Sequence, residues 1–320
     1  MTDTSFRKSI IKAALITSAF IIMATMIIVL GLACSDTYAA SGGNGIRSAK
    51  PAATALKYED ANRITWNEVK GAKYYRVYRA TSKKGRYKKI RKVSRTAVNA
   101  EGKLTCDDRS SESGKVYYYK VRAYKSARQY SKYSAPVRIK TVYRIYVACG
   151  HGTNNAGRWD PGCTWKGMQE AELMLPITQD LVRYLRRSGI YVYTDADDGN
   201  RMNIIRNIEF ANNKKLSLYM SVHCDYKNAK PGTMPLYYGR KSKTLAKNLN
   251  NSVHSMINIE DRGLVKRPEL LELNKTKVPA CIFETGTISK DYRIFINQHD
   301  LYGKALAMGV CRYLGAAFRP

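Results

Sequence analysis

Histidine is scarce in this chain, with four in 320 residues. Acids are few as well: 25 Asp and Glu stand against 55 Lys and Arg, which leaves a formal net charge of +30. There are seven cysteines (Cys34, Cys106, Cys149, Cys163, Cys224, Cys281 and Cys311), with no CxxC pair and no dense spacing. That spacing excludes a small disulfide-stapled scaffold. The rest of the composition, 44% hydrophobic and 25% charged, is that of a globular protein long enough for two cored domains. So large a positive charge points to a polyanionic partner: nucleic acid, an acidic membrane or an anionic cell wall.

The first 40 residues narrow that choice. Arg7, Lys8 and Lys12 form a basic stretch, and residues 13–33 follow without a charge. Thr37 and Ala39 are small residues placed as at a cleavage site. The pattern is that of an export signal and stands outside the fold. The run is also long enough to span a bilayer uncleaved, as a membrane anchor. Gly31-Leu32-Ala33-Cys34 approaches a lipoprotein signal, but Gly31 stands where an aliphatic residue is usual. Export makes nucleic acid an improbable partner. It predicts a secreted or wall-associated protein, in which the positive charge meets an acidic envelope polymer.

Residues 41–55, rich in Ala, Gly, Ser and Asn, read as a linker. Residues 56–142 have an all-β pattern. Ile64-Thr65-Trp66, Tyr74–Arg79 and Tyr117–Tyr124 are short strands between turn-rich stretches, with Tyr119, Val121 and Ala123 on one face. This segment resembles a fibronectin type III domain in its early Trp66, its Tyr-Tyr-Arg-Val-Tyr-Arg strand and its late Tyr-Tyr-Tyr-Lys-Val-Arg-Ala-Tyr strand. The resemblance implies a spacer or a weak wall-binding unit. Residues 51–140 hold 24 Lys and Arg against 7 acids, a strong local positive field.

From about Tyr143 strands and helices alternate. Strands are expected at 144–148, 190–193, 216–222, 234–238 and 280–283, and helices at 173–188, 203–213, 242–257 and 301–314. Pro176 belongs in a first turn or at a kink. The alternation predicts an α/β domain over residues 143–320, with a mixed, largely parallel sheet flanked by helices.

Two of the scarce histidines follow apolar runs inside tight polar motifs: Gly150-His151-Gly152 and Ser221-Val-His223-Cys224-Asp225. A third motif, Ile282-Phe-Glu284-Thr-Gly286, ends another predicted strand. Strand ends in an open α/β sheet face one crevice, so residues far apart in sequence meet there. Two histidines and a carboxylate suit Zn2+, with a fourth position left to water of lowered pKa. The chemistry predicts His151, His223 and Glu170 as ligands, with Glu172 the rival carboxylate. Glu284 is then free to act as general base and acid for an amide. Cys149 and Cys224 adjoin these motifs. They read as small buried residues, with thiolate ligation the alternative. His254 and His299 read as surface residues.

In fixed order, Gly150-His151-Gly152, Glu170-Ala-Glu-Leu173-Met-Leu175, Ala211-Asn212, Ser221–Asp225 and Lys277–Ser289 resemble the zinc-dependent N-acetylmuramoyl-L-alanine amidases. The resemblance runs from about Tyr146 to Leu314 and selects Glu170 over Glu172, because Glu170 precedes Leu173 by three. It implies a peptidoglycan substrate cut between the lactyl group of N-acetylmuramic acid and L-alanine. The alternatives are a wall-binding protein with a degenerate amidase domain and a zinc peptidase acting within the stem peptide. The chain departs from the family at Ala148-Cys149, at Cys224-Asp225, at Thr287-Ile-Ser-Lys290, and at Asn207, where an Arg is usual and Arg206 lies one place out of register. These departures bear on the wall that contacts substrate.

Overall fold

The computed structural model describes residues 45–57, 60–154, 156–197, 199 and 203–320. The export signal or anchor, Cys34 and residues 41–44 lie outside the described residues; the rest of the expected linker is described and carries a helical turn and the start of a strand. Among the described residues, no helix is long and apolar enough to cross a membrane.

A single helical turn, α1 (Gly45–Ser48), leads into seven strands: β1 (Ala53–Lys57), β2 (Asn62–Asn67), β3 (Tyr74–Ala80), β4 (Lys88–Ser94), β5 (Lys103–Asp108), β6 (Val116–Tyr124) and β7 (Val137–Lys140). They form an antiparallel three-stranded sheet, β1-β2-β5, and an antiparallel four-stranded sheet, β4-β3-β6-β7. Alternation decides which side chains face inward. In β6 these are Tyr117, Tyr119, Val121 and Ala123, which meet Trp66, Tyr75, Val77 and Leu104 in one core. The Tyr119 hydroxyl bridges that core, donating to Asp108 Oδ2 at 2.7 Å and accepting from Asn62 Nδ2 at 2.9 Å.

The chain then enters a second sheet through β8 (Arg144–Cys149). Four two-residue strands line the loop that follows: β9 (Gly152–Thr153), β10 (Trp159–Asp160), β11 (Thr164–Trp165) and β12 (Met168–Gln169). Next come α2 (Glu170–Arg187), β13 (Tyr191–Thr194), α3 (Ile204–Asn213), β14 (Leu218–Asp225), β15 (Met234–Tyr237), α4 (Arg240–His254), β16 (Val265–Lys266), α5 (Leu271–Asn274), β17 (Ala280–Thr287), α6 (Tyr292–Asn297) and α7 (His299–Leu314). The six-stranded order is β13-β8-β14-β17-β15-β16, parallel throughout except between β15 and β17.

All six residues of β8 are buried, because helices cover both faces of the sheet. Ile145, Val147 and Cys149 face α2, α4 and α7, while Tyr146 and Ala148 face Ala211 of α3 and Leu273 of α5. Pro176 sits at the seventh position of α2, beyond the first turn. The buried stripe of α2 is Met174, Ile177, Leu181 and Leu185 at 3.6-residue spacing.

Residues 45–320 form one compact unit. Arg144, at the start of β8, ties its two cores together. Its guanidinium donates to the Asp60 carbonyl at 2.7 Å and to the Ser111 carbonyl, and its backbone N–H donates to Ser113 Oγ at 2.7 Å.

Candidate metal centre

His151 lies two residues beyond β8, in left-handed backbone with φ +61°. That conformation costs an ordinary residue roughly 1–2 kcal/mol and is tolerated where the surroundings fix it. Gly150 allows the turn to press on β14. A β-carbon there would fall 2.6 Å from both the Val222 carbonyl oxygen and His223 Nδ1. The His151 and His223 rings are thereby brought to 5.2 Å, at 79° to each other.

Glu170 is the first residue of α2, where the helix dipole favours a carboxylate. It is 2% exposed and reaches both rings. Oε2 is 3.3 Å from His151 Nε2, and Oε1 is 3.0 Å from His223 Nδ1. The backbone N–H groups of Cys163 and Cys224 donate to Oε2 and Oε1, each at 3.0 Å. One donor atom from each of His151, Glu170 and His223 lies within 4.8 Å of the others. Glu172 is exposed, so the geometry gathers Glu170 and leaves its rival in solvent.

Burial opposes ionisation of Glu170, but the His223 hydrogen bond and the nearby charges of His223 and His151 outweigh it and hold the carboxyl below its ordinary range. Burial likewise opposes a charge on His223. Glu170, Glu272 and Glu284 overcome it and push that ring up to about 10. Surroundings that hold a proton on an imidazole so firmly favour a cation at that place. Two imidazoles and a carboxylate are also a hydrolytic zinc set, so the residues present fit zinc.

Glu284 sits inside β17, directly opposite His223 of β14 in the parallel register. Burial, with the His223 charge pulling the other way, pushes its carboxyl up to about 8. Its Oε2 is buried without a hydrogen-bond partner among the described residues. A cavity of about 230 Å³ opens on His151, Asn154, Asn207, His223 and Glu272; neither Glu170 nor Glu284 lines it.

Sequence reasoning missed several groups around the site. Asp160 Oδ2 lies 3.1 Å from His151 Nδ1 and holds that ring. Glu272 lies 3.8 Å from His223 Nε2 and accepts from the Tyr219 hydroxyl at 2.5 Å. Asn207, where the family resemblance calls for Arg, is buried. It accepts from the Tyr146 hydroxyl at 2.7 Å and donates to Asp195 Oδ2 at 2.8 Å. Only Asn207 carried a signal, its place before Ala211-Asn212. Asp160 sits in a two-residue strand and Glu272 in a single helical turn, elements too short for any period to mark.

Cys149 is buried beneath the turn, where its N–H donates to Asp195 Oδ1 at 2.9 Å. The Cys163 and Cys224 thiols are 3.9 Å apart and, with Glu170, make a second cluster of potential donors. His254 is half-buried rather than on the surface, bonded through Nε2 to Thr233 Oγ1 at 2.8 Å. His299 is 2.7 Å from Asp180 Oδ2.

The chain is 23% identical over 159 residues to the protein YqiI of Bacillus subtilis (strain 168), covering 48% of this chain and 73% of that one. It is 29% identical over 114 residues to the uncharacterized 38.4 kDa protein of Clostridium perfringens, covering 33% of each. The crystal structure of N-acetylmuramoyl-L-alanine amidase from Clostridium difficile 630 superposes with a TM-score of 0.50 at 24% identity, covering 54% of this chain and 97% of that one. The N-acetylmuramoyl-L-alanine amidase family itself matches residues 145–314, from β8 to the end of α7. With more than half of its length matched, the chain belongs to that family, the hydrolases of peptidoglycan that cut between N-acetylmuramic acid and L-alanine.

Proposed function

We propose that this protein is a zinc amidase in which His151, Glu170 and His223 hold the metal and Glu284 carries the proton. The observation behind the assignment of Glu284 is its buried, unpartnered Oε2 beside His223, on a carboxyl pushed up to about 8. When bound, zinc supplies Lewis acidity toward the scissile carbonyl. Glu284 accepts a proton from the attacking water and returns it to the leaving amine nitrogen, which cannot depart unprotonated. A carboxyl near neutral in affinity serves both halves of that transfer. Asp160 fixes the orientation of His151, and Glu170 is fixed by the two backbone N–H groups that it accepts.

Residues 1–40 direct export or anchor the chain, and the stretch from residue 41 to the start of β1 links. Residues 56–142 form a fibronectin type III-like module that holds the enzyme to anionic wall polymers, and residues 143–320 are catalytic. The two antiparallel sheets around Trp66 support the reading of the module. The protein then works outside the cytoplasm.

Glu284→Gln should keep its metal and lose about 100-fold or more of its turnover, whereas His223→Ala should lose the metal. Metal analysis and mass spectrometry of digested peptidoglycan read the two effects. Intact stem peptides are expected, and shortened ones would assign a peptidase instead. Near-native turnover by Glu284→Gln would sink the mechanism.

A further inference from the structure

The four-stranded sheet of the N-terminal module has a feature the amidase reaction leaves unused. Its strands β3, β4, β6 and β7 contain ten Lys and Arg and no Asp or Glu. The surrounding sequence has no acid from residue 69 to 100 or from 113 to 159. On the outward face, Lys92 of β4, Arg76 of β3 and Arg122 of β6 are direct cross-strand partners. Three like charges in one row destabilise a sheet that has nothing to neutralise them. Among the described residues, no carboxylate pairs with any of the three.

Tyrosines hold these cations without cancelling their charge. Arg76 lies 4.6 Å from the Tyr124 ring centroid, Lys92 4.4 Å from that of Tyr74, and Arg122 3.7 Å from that of Tyr133. Arg76 Nε and Arg122 Nε are buried without a hydrogen-bond acceptor among the described residues. Beside Arg122 the surface sinks into a depression of about 370 Å³ lined by Arg47, Arg122, Arg128 and Lys132, with no acid on its wall.

We propose that this face is a docking surface for a phosphodiester-linked anionic polymer of the cell wall, with the Arg47/Arg122/Arg128/Lys132 depression seating one phosphate and the Arg122–Arg76–Lys92 row following the chain. Three strands at about 4.8 Å spacing make the row roughly 10 Å long, suited to successive charges on a polymer rather than to one small anion. Guanidinium groups match phosphate oxygens in charge and in fork geometry. A polymer attached to peptidoglycan is the polyanion that an enzyme of this family meets. The inference rests on the proposed wall-holding role of the module, and it names the face and the ligand chemistry.

The test is cosedimentation of the full chain, carrying Glu284→Gln to prevent digestion, with purified walls before and after hydrofluoric acid removes their phosphodiester polymers. Binding should be strong to intact walls, weaken with salt and drop on stripped walls. Arg76→Gln with Arg122→Gln should weaken binding to intact walls roughly tenfold or more. Lys57→Gln with Lys103→Gln, on the other sheet, should leave it unchanged. If the arginine pair fails to fold by circular dichroism, Lys92→Gln with Lys120→Gln replaces it. Equal binding to stripped walls, native binding by the face variants, or tighter binding to DNA or to anionic lipid vesicles at equal phosphate overturns the proposal. Release of intact stem peptides from stripped walls by the enzyme with native Glu284 is read separately, so a failed docking surface and a failed amidase assignment give different results.

Discussion

The backbone at Gly162 shows how tightly single residues are held around the proposed ligands. Its φ is +70°, and a β-carbon there would fall 2.6 Å from both Glu170 Oε2 and His151 Cδ2. Gly157 has nearly the same backbone, φ +76°, yet opens onto space with nothing within 4 Å. Alanine at either position meets the left-handed penalty of roughly 1–2 kcal/mol. Only at 162 does it also displace the Glu170 and His151 side chains. Gly162→Ala should therefore weaken zinc binding about tenfold or more relative to Gly157→Ala, measured by competition with a chromophoric chelator. Equal affinity in the two variants would show that Gly162 does not shape the site. The cluster of His151, Glu170 and His223 is legible in the sequence, because scarce histidines after apolar runs and an acid before a helical stripe stand out. Asp160 and Glu272 are not, since their role depends on loops returning to the cleft and no periodicity records that return.

At the scale of elements, the strands run further than their apolar residues suggest. β14 continues through His223 to Asp225, and β17 through Glu284 to Thr287. Polar side chains remain in the ladder because they find partners there. Thr285 Oγ1 donates to the His223 carbonyl at 2.8 Å, and the Ile288 N–H donates to the Asp225 carbonyl at 3.0 Å. Two of the site residues thus stand on rigid strands instead of the loops beyond them, and apolar periodicity alone stops short of that. α2 likewise begins at Glu170, three residues before its first expected apolar position. The loop after β13 contributes Asp195, which accepts from the Cys149 N–H of β8 and from Asn207 of α3. Burial pushes its carboxyl up to about 6, against an ordinary value of 3.8. Because the folded value exceeds the unfolded one, its stabilising contribution is complete below about pH 4 and is lost as the pH rises through about 6. The loss should be on the order of 1–3 kcal/mol. Urea unfolding of the native protein and Asp195→Asn between pH 4 and 7 measures it. The native protein should lose more stability over that window, and parallel pH dependences would remove Asp195 as the cause.

Across the whole molecule, the change of pattern near Tyr143 makes two cores legible, but the way they are joined leaves no mark in the sequence. Arg144 looks like any cation at the start of a strand. In the structure it is 4% exposed, and its guanidinium spans to carbonyls of Asp60 and Ser111 in the connections between strands of the preceding sheets. Ser113 Oγ and Ser217 Oγ, 2.7 Å apart, and Lys215, which donates to the Ser110 carbonyl at 2.8 Å, add to the joint. These contacts are mostly to backbone oxygens, which every residue offers, so no residue pattern announces them. Removing the guanidinium leaves buried carbonyls without their donor, at roughly 1–3 kcal/mol for each uncompensated group. Arg144→Met keeps the aliphatic bulk and removes only the donors. It should separate the cores thermodynamically, so that calorimetry resolves two unfolding transitions where the native chain gives one or a narrower pair. The candidate metal site lies at the opposite end of β8, beyond Cys149, and zinc content should be unchanged. A variant that unfolds in a single transition at the native temperature would show that Arg144 does not couple the two cores.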